Sequence, residues 1–196
     1  MAQSILDLHV DAIVNAAHSS LRHGGGICDI IHNAAGTRLT DECAKVRAEH
    51  GSDYAAGNAA ITRAFDLEKN GIKFVVHAVG PNLQDMHVTE KTIFSPRNEK
   101  HVTALMDAYK NSLERANERG CQSIALPRIS AGIFKFPLVA QALCATRAVN
   151  EWIAANPGSS IKKIQFCELP GGVSSKKSNA WLNVYKEFIT SGGITE

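Results

Sequence analysis

Apolar positions along the chain follow two different spacings, and together they predict strands separated by helices. Short apolar runs bounded by turn residues indicate buried strands. The predicted strands lie at residues 10–14, 57–65, 72–79, 121–126 and 161–169. Longer segments with apolar residues at helical spacing indicate amphipathic helices. The predicted helices lie at residues 26–35, 37–50, 97–119, 138–155 and 178–189.

Strands that alternate with helices, without an internal repeat or linker, are typical of one α/β domain. We therefore predict a single domain over residues 1–196, a three-layer α/β/α sandwich with a mostly parallel central sheet. In such sheets, ligands bind beyond the carboxyl ends of the strands. The loops at 15–26 and 127–137 each follow a predicted strand, so both should lie on that edge.

The first of these loops ends in three consecutive glycines, Gly24, Gly25 and Gly26, directly before a predicted helix. Such a stretch suits an anion, because no Cβ blocks the backbone amides and the helix dipole favours negative charge. The run matches neither the Walker pattern nor a complete G-x-G-x-x-G. A phosphate- or nucleotide-binding turn is one interpretation, and a tight turn that needs positive φ is the other.

The second loop reads PRISAGIFKFP and has a similar character. Ser130, Ala131 and Gly132 are small and leave several backbone amides free, while Ile133 and Phe134 supply apolar surface. An ordinary connector between a strand and a helix would explain this loop alone. Two amide-rich loops on the same edge favour a diphosphate site built from backbone groups.

Composition and charge exclude several other classes of protein. The 44% hydrophobic and 20% charged residues argue against disorder. A net charge of +2, with both signs mixed along the chain, gives no electrostatic case for a nucleic-acid or membrane partner.

The cysteines and the chain start bear on localisation. Five scattered cysteines without a C-x-x-C pair indicate free thiols in a reducing compartment. There is no signal-peptide pattern and no apolar run long enough to cross a bilayer. We therefore expect an intracellular protein, cytoplasmic or nuclear, and a monomer.

Three segments resemble the signatures of one known family. DAIVNAAHSSLRHGGGICDIIHNAAG at 11–36, HAVGP at 77–81 and the second loop resemble those of the macro domain in order and spacing, over residues from about 5 to 169. The resemblance implies an α/β/α domain that binds ADP-ribose. Many family members remove mono-ADP-ribose from acidic side chains or deacetylate O-acetyl-ADP-ribose, and others only bind.

The resemblance also implies which residues contact the ligand. The glycine loop would hold the distal ribose and part of the diphosphate, and the second loop would wrap the diphosphate with Phe134 beside the distal ribose. The implied ligand-binding residues are Ile5, Asn15, Gly24, Gly25, Gly26, Ile27, Ser130, Ala131, Gly132, Ile133 and Phe134. We expect no cofactor.

Two departures from the family pattern concern catalysis. His18 stands where the family carries an Asn that contacts the distal ribose. Cys28 stands where one hydrolase branch carries an Asp that activates water, and Asp29 falls one residue later. One residue turns a helix by ~100°, so Asp29 should face elsewhere.

Other departures concern binding and the chain start. Ser4 occupies the position of an Asp that recognises the adenine amino group, and Lys135 replaces a glycine of the second loop. Because Ser4 lacks the carboxylate, we expect weaker selectivity for adenine over other bases. The family usually begins with a further strand for which this chain has no residues, so we expect a truncated or unusual start.

His18 and His23 are the candidate catalytic residues, because imidazole exchanges protons readily near neutral pH. His23 resembles a histidine that viral family members carry before the glycines. A solvated loop histidine is the alternative for each. Cys28 lacks an activating partner in the sequence, which favours an inert buried thiol.

A cluster of histidines and one cysteine has the chemistry of metal ligands. His18, His23, Cys28 and His32 lie within fifteen residues, and Cys28 and His32 are one helical turn apart. The spacing fits no established structural-zinc pattern, so no metal site is predicted.

The leading hypothesis is an ADP-ribose-binding macro domain that hydrolyses mono-ADP-ribose from proteins or deacetylates O-acetyl-ADP-ribose. The alternative is a non-catalytic reader of ADP-ribosylated proteins. A third hypothesis is that the fold binds another nucleotide or RNA.

Overall fold

The computed structural model describes residues 4–167. Within them, five strands form one sheet: β1 (Ala12–Ala17), β2 (Ala59–Arg63), β3 (Phe74–Val79), β4 (Ser123–Leu126) and β5 (Lys163–Phe166). The α-helices are α1 (Ile27–Ala35), α2 (Thr37–His50), α3 (Glu99–Glu118) and α4 (Leu138–Ala155). Short 3₁₀ turns lie at Ile5–Asp7, Phe65–Asn70 and Pro96–Asn98. The helix predicted at 178–189 lies outside the described residues.

The strand order across the sheet is β2–β3–β1–β4–β5. β1 pairs in parallel with both β3 and β4, and β4 pairs in parallel with β5. Among these strands only β2 is antiparallel, and it pairs with β3. Because β1 and β4 are parallel neighbours, the loops that follow them leave from the same edge, as predicted.

The sheet is covered by helices on both faces. Successive strand residues point to opposite faces. In β1, Ala12 and Val14 pack into the core with α3 and α4, and Ile13 packs into a second core with α1 and α2. All three side chains are fully buried. This arrangement confirms the predicted three-layer sandwich.

β1 runs further than the apolar pattern predicted. The predicted strand ended at Val14, but the ladder with β3 continues through Asn15, Ala16 and Ala17. A polar residue ends an apolar run in sequence, whereas in the fold Asn15 finds hydrogen-bond partners inside the protein. The first loop therefore begins at His18.

All five cysteines are free thiols, as predicted, and all five are buried. In residues 4–167, no helix combines the length and apolar character that crossing a bilayer would require.

Candidate functional site

The first loop (residues 18–26) and the second loop (residues 127–137) meet at the carboxyl edge of the sheet. A Cβ built on Gly25 would lie 3.6 Å from Cδ1 of Ile133, so the two loops lie close together at this point. Gly24, Gly25 and Gly26 are exposed, and Gly26 has a φ of +67°. The sequence therefore correctly placed both amide-rich loops side by side.

Gly26 is also the N-cap of α1, and no side chain of residues 4–167 caps that helix end. The first amides of a helix have no partner within the helix. Together with the helix dipole, these amides form a site suited to an anion. The glycine end of the first loop thus presents these amides beside the second loop.

A buried polar network supports the first loop from beneath. Nδ2 of Asn15 lies 3.2 Å from Nδ1 of His77, and Nε2 of His77 lies 2.9 Å from Oγ1 of Thr62. Since an amide nitrogen only donates, Nδ1 accepts and Nε2 carries the proton. Burial lowers the pKa of His77 to about 3, so the ring is neutral at physiological pH.

The same network fastens the loop to α1 through Cys28. Nδ2 of Asn15 donates to Sγ of Cys28 over 3.5 Å, and this thiol donates to the Arg22 carbonyl over 3.7 Å. Cys28 is 3% exposed. Its partners are an amide and a carbonyl, and neither of them can take its proton, which fits the interpretation as an inert thiol.

His23 and Asp29 form a pair beside the glycines. Nε2 of His23 lies 2.9 Å from Oδ1 of Asp29. The His23 ring is stacked on His32, with centroids 4.9 Å apart and planes 12° apart. Asp29 is exposed whereas Cys28 is buried, so Asp29 does face another direction from Cys28, as predicted. The sequence did not indicate that it would reach His23.

His18 lies at the other end of the first loop and is exposed. Its Nδ1 accepts from the Ser20 amide over 3.2 Å and lies 2.9 Å from the Ser20 hydroxyl. The neighbouring Ser19 donates to Asp53, and its carbonyl accepts from the Tyr54 amide. These contacts fix the beginning of the loop.

A tyrosine hydroxyl organises the second loop. Tyr109 of α3 is fully buried, donates to the Pro127 carbonyl over 2.8 Å and accepts from the Ile129 amide over 2.9 Å. Nε2 of Gln141 donates to the same oxygen. Tyr109 lies within the helix predicted at 97–119, and a sequence pattern does not show where its hydroxyl points.

The second loop contains two non-glycine residues in the left-handed region, Ser130 at φ +63° and Lys135 at φ +51°. Ser130 packs closely on Gly80: a Cβ on Gly80 would collide with the Ser130 hydroxyl and with Cγ2 of Ile129. The glycine of the HAVGP segment is therefore needed for close approach of the second loop to the end of β3.

The predicted ligand-binding residues divide by exposure. The side chains of Ile5, Asn15, Ile27 and Ser130 are buried. The exposed or partly exposed ones are Gly24, Gly25, Gly26, Ala131, Gly132, Ile133 and Phe134. Of the exposed group, Gly25 and Ile133 lie close together, whereas Asn15 is hydrogen-bonded inside the protein. Ser4, the residue in the adenine position, uses its hydroxyl to accept from the Leu6 amide over 3.3 Å.

One group of side chains is close enough to consider a metal. A ring nitrogen of His32, a ring nitrogen of His77 and Sγ of Cys43 all lie within 4.8 Å of one another, and all three residues are buried. Both ring nitrogens of His77 already have hydrogen-bond partners, and burial raises the pKa of the Cys43 thiol to about 12. The group has the character of a neutral hydrogen-bonded core. It shares only His32 with the set weighed from sequence.

Comparison with known proteins agrees with this geometry. A family model described as the macro domain matches residues 14–145. The chain belongs to the macro domain family. This membership confirms the resemblance that the three sequence segments carried, and the matched residues span both loops.

Several named relatives of this macro domain are enzymes. It is 38% identical over 180 residues to human ADP-ribose glycohydrolase MACROD2, covering 90% of this chain but only 38% of the human protein's length. It is 42% identical over 149 residues to an O-acetyl-ADP-ribose deacetylase of Escherichia fergusonii, covering 76% of each chain. A macro domain-containing protein of Caldanaerobacter subterraneus is 39% identical over 163 residues, 83% of each.

Solved structures confirm the fold. The Oceanobacillus iheyensis macrodomain with ADP has a TM-score of 0.78 and 26% identity, covering 97% of this chain and 90% of that one. The Trypanosoma brucei macrodomain in complex with ADP-ribose has a TM-score of 0.72 at 23% identity, covering 94% of this chain and 67% of that one.

Proposed function

We propose that this macro domain binds ADP-ribose between the first and second loops. The observation that carries the proposal is the closeness of Gly25 to Ile133, where an added Cβ would touch the Ile133 side chain beside the N-terminus of α1. Backbone amides from both sides can then donate to the two phosphates. The bacterial and trypanosomal macrodomains of the same fold were solved with ADP and ADP-ribose.

Adenine recognition should be weaker than with a carboxylate. A charge-assisted hydrogen bond to the adenine amino group is worth roughly 1.5–3 kcal/mol. Here the position holds Ser4, whose hydroxyl already accepts from the Leu6 amide. We therefore propose that the diphosphate and ribose dominate affinity and that other bases are tolerated.

Calorimetry with ADP-ribose tests the binding site. Gly25→Val should lower affinity about tenfold or more, because the added side chain fills the space between the loops against Ile133. Gly158→Val is the matched control, since a Cβ there meets no atom within 4 Å. Wild-type protein that gives no heat at high micromolar ADP-ribose would sink the proposal and favour another nucleotide or RNA.

We further propose that the domain hydrolyses mono-ADP-ribose from proteins or deacetylates O-acetyl-ADP-ribose. Relatives named as a glycohydrolase and as deacetylases support this. The water-activating carboxylate of one hydrolase branch is replaced by Cys28, a buried thiol. A histidine of the first loop, His18 or His23, would then have to accept the proton.

Turnover assays on a mono-ADP-ribosylated protein and on O-acetyl-ADP-ribose test this second proposal. His18→Ala or His23→Ala should lower kcat, and no change in either variant would remove the histidines as bases. His18→Asn restores the family residue, so a gain in turnover would show that this chain has drifted from catalysis.

The alternative function is a reader that docks on ADP-ribosylated proteins without cleaving them. The replacement of the family's Asn and Asp by His18 and Cys28 favours it. Tight binding of ADP-ribose with no release from either substrate would establish the reader. In both cases we propose an intracellular monomer, cytoplasmic or nuclear, in keeping with its free cysteines. Light scattering of the purified chain tests the monomer.

A further inference from the structure

Asp29 occupies the first turn of α1, where a carboxylate is favoured by the helix dipole. From there it contacts Nε2 of His23 at 2.9 Å. The residue that replaces the usual water-activating Asp, Cys28, faces the interior instead. The chain therefore has a carboxylate at this helix end, but its contact is with a histidine.

The His23 ring is held on a second side by His32. The two rings are stacked with planes 12° apart, and His32 is 3% exposed. His32 is fixed in turn, because its Nδ1 lies 3.1 Å from Oγ1 of Thr40 on α2. Asp29 fixes the direction of the His23 ring edge, and His32 fixes the ring plane.

We propose that Asp29 is a positioning residue that holds His23 in the Nε2–H tautomer and so presents Nδ1 as a proton acceptor at the glycine end of the first loop. This inference rests on the proposed hydrolase function. It names the partner that would make His23, rather than His18, the base.

The tautomer follows from the chemistry of the pair. A carboxylate only accepts hydrogen bonds, and a neutral imidazole carries a single N–H. The short contact therefore places the proton on Nε2 and leaves a lone pair on Nδ1. Within residues 4–167, no backbone or side-chain group bonds that Nδ1. Serine hydrolases use the same division of labour with the two ring nitrogens exchanged.

The supporting ring is neutral. Burial, reinforced by the neighbouring His23, lowers the pKa of His32, although Asp29 opposes the shift. A neutral platform carries no charge that would repel an imidazolium formed on His23, and the Asp29 carboxylate would stabilise that imidazolium.

The proton has a complete route in this arrangement. As the oxygen of a water bonds to the anomeric carbon of the distal ribose, its proton passes to Nδ1 of His23. The bond from that carbon to the protein's ester oxygen breaks, and its electron pair stays on the released carboxylate. The imidazolium then returns the proton to solvent.

Nitrogen-15 NMR of the histidine rings tests the positioning without any substrate. In alkaline buffer His23 should appear as the Nε2–H tautomer, assigned by comparison with His23→Ala. Asp29→Asn should shift the ring toward a mixture of tautomers. A wild-type ring in the Nδ1–H form, or one unchanged in Asp29→Asn, would overturn the proposal.

Kinetics then test the consequence for catalysis. Asp29→Asn should lower kcat about tenfold or more with KM unchanged, because a mispositioned base loses much of its contribution. Asp29→Glu should recover part of kcat. Asp41→Asn, which removes an exposed carboxylate from α2, is the matched control and should leave kcat unchanged. If Asp41→Asn lowered kcat as much as Asp29→Asn does, the effect of Asp29 would be one of charge alone. That result would overturn the assignment of Asp29 as a positioning residue.

The two proposals can fail separately. The Asp29→Asn variant should bind ADP-ribose as tightly as wild type or slightly more tightly, because removing a negative charge does not weaken the binding of an anionic ligand. Absence of ADP-ribose binding or turnover in wild-type protein overturns the proposed function, and with it the role of Asp29 in catalysis. Turnover that survives in wild type and in Asp29→Asn equally overturns only the role of Asp29.

Discussion

The first and second loops leave neighbouring strands at one edge of the sheet, yet they are held in different ways. The first loop places Leu21 and Gly26 in the left-handed region and is fastened by polar side chains beneath it, Asn15, His77 and Cys28. The second loop places Ser130 and Lys135 in the left-handed region without glycine.

The second loop tolerates this backbone because tertiary contacts define it. The Tyr109 hydroxyl donates a hydrogen bond to the Pro127 carbonyl and accepts one from the Ile129 amide. The Phe136 amide donates to the Ser130 carbonyl over 2.9 Å. Left-handed residues other than glycine cost of order 1 kcal/mol and persist only where their surroundings over-determine them. The comparison teaches that the first loop is held by a network of polar side chains beneath it, and the second by a single buried hydroxyl.

Removing the Tyr109 hydroxyl should destabilise the second loop without affecting the first. Tyr109→Phe leaves the Pro127 carbonyl and the Ile129 amide buried without their partner, which should lower the free energy of unfolding by roughly 2–4 kcal/mol. Urea denaturation measures the change. Tyr54→Phe is the control, because Tyr54 lies beside the first loop and its ring stacks on His50. Equal losses in the two variants would contradict the special role of Tyr109.

Lowering the pH should reduce the free energy of unfolding, because the buried network beneath the first loop contains a neutral histidine. In the folded protein the pKa of His77 is lowered from 6.5 to about 3, so only the unfolded chain takes up this proton between those values. Unfolding therefore becomes easier as pH falls below about 6.5, by up to about 1.4 kcal/mol for each pH unit per histidine. His32, whose pKa is also lowered, acts in the same direction.

The measurement is the slope of unfolding free energy against pH between about 6 and 4.5. His77→Gln should reduce that slope whatever its effect on stability at neutral pH, whereas His87→Gln, at an exposed position, should not. An unchanged slope in His77→Gln would show that His77 is not held neutral by burial.

Lys135→Gly should give a small gain in stability, because it relieves backbone strain in the second loop. The change removes the Cβ that makes φ +51° costly, and the flexibility of glycine in the unfolded chain offsets part of the benefit. We expect a net gain of about 0.5 kcal/mol in chemical denaturation. Lys91→Gly, at an exposed loop position without positive φ, should lose a similar amount. A loss at both positions would mean that Lys135 is not strained.

Much of the fold followed from the sequence because its signals are local. The helices α2 and α4 begin and end at the residues that their apolar spacing predicted. The edge shared by the two loops also followed, because parallel strands direct their carboxyl ends to one side.

The supports of the site did not follow, because they join residues distant in the chain. Thr62, His77 and Tyr109 stand in segments whose patterns predict only strand or helix, and their polar atoms meet partners on other elements. A polar His77 inside the apolar strand predicted at 72–79 was the available signal for a buried network. The pairing of His23 with Asp29 has no such signal, because it depends on how a loop folds back on a helix.

The central place of β1 has a consequence for how the protein forms. β1 comes first of the described strands in the chain, but it pairs with β3 and β4, which are made much later. Contacts between distant segments slow folding, since the chain between them must be ordered first. During synthesis the glycine loop therefore emerges long before its neighbours exist. The ligand site can assemble only after the ribosome has released the second loop, so a nascent chain cut short before β4 carries the signature sequence without the site.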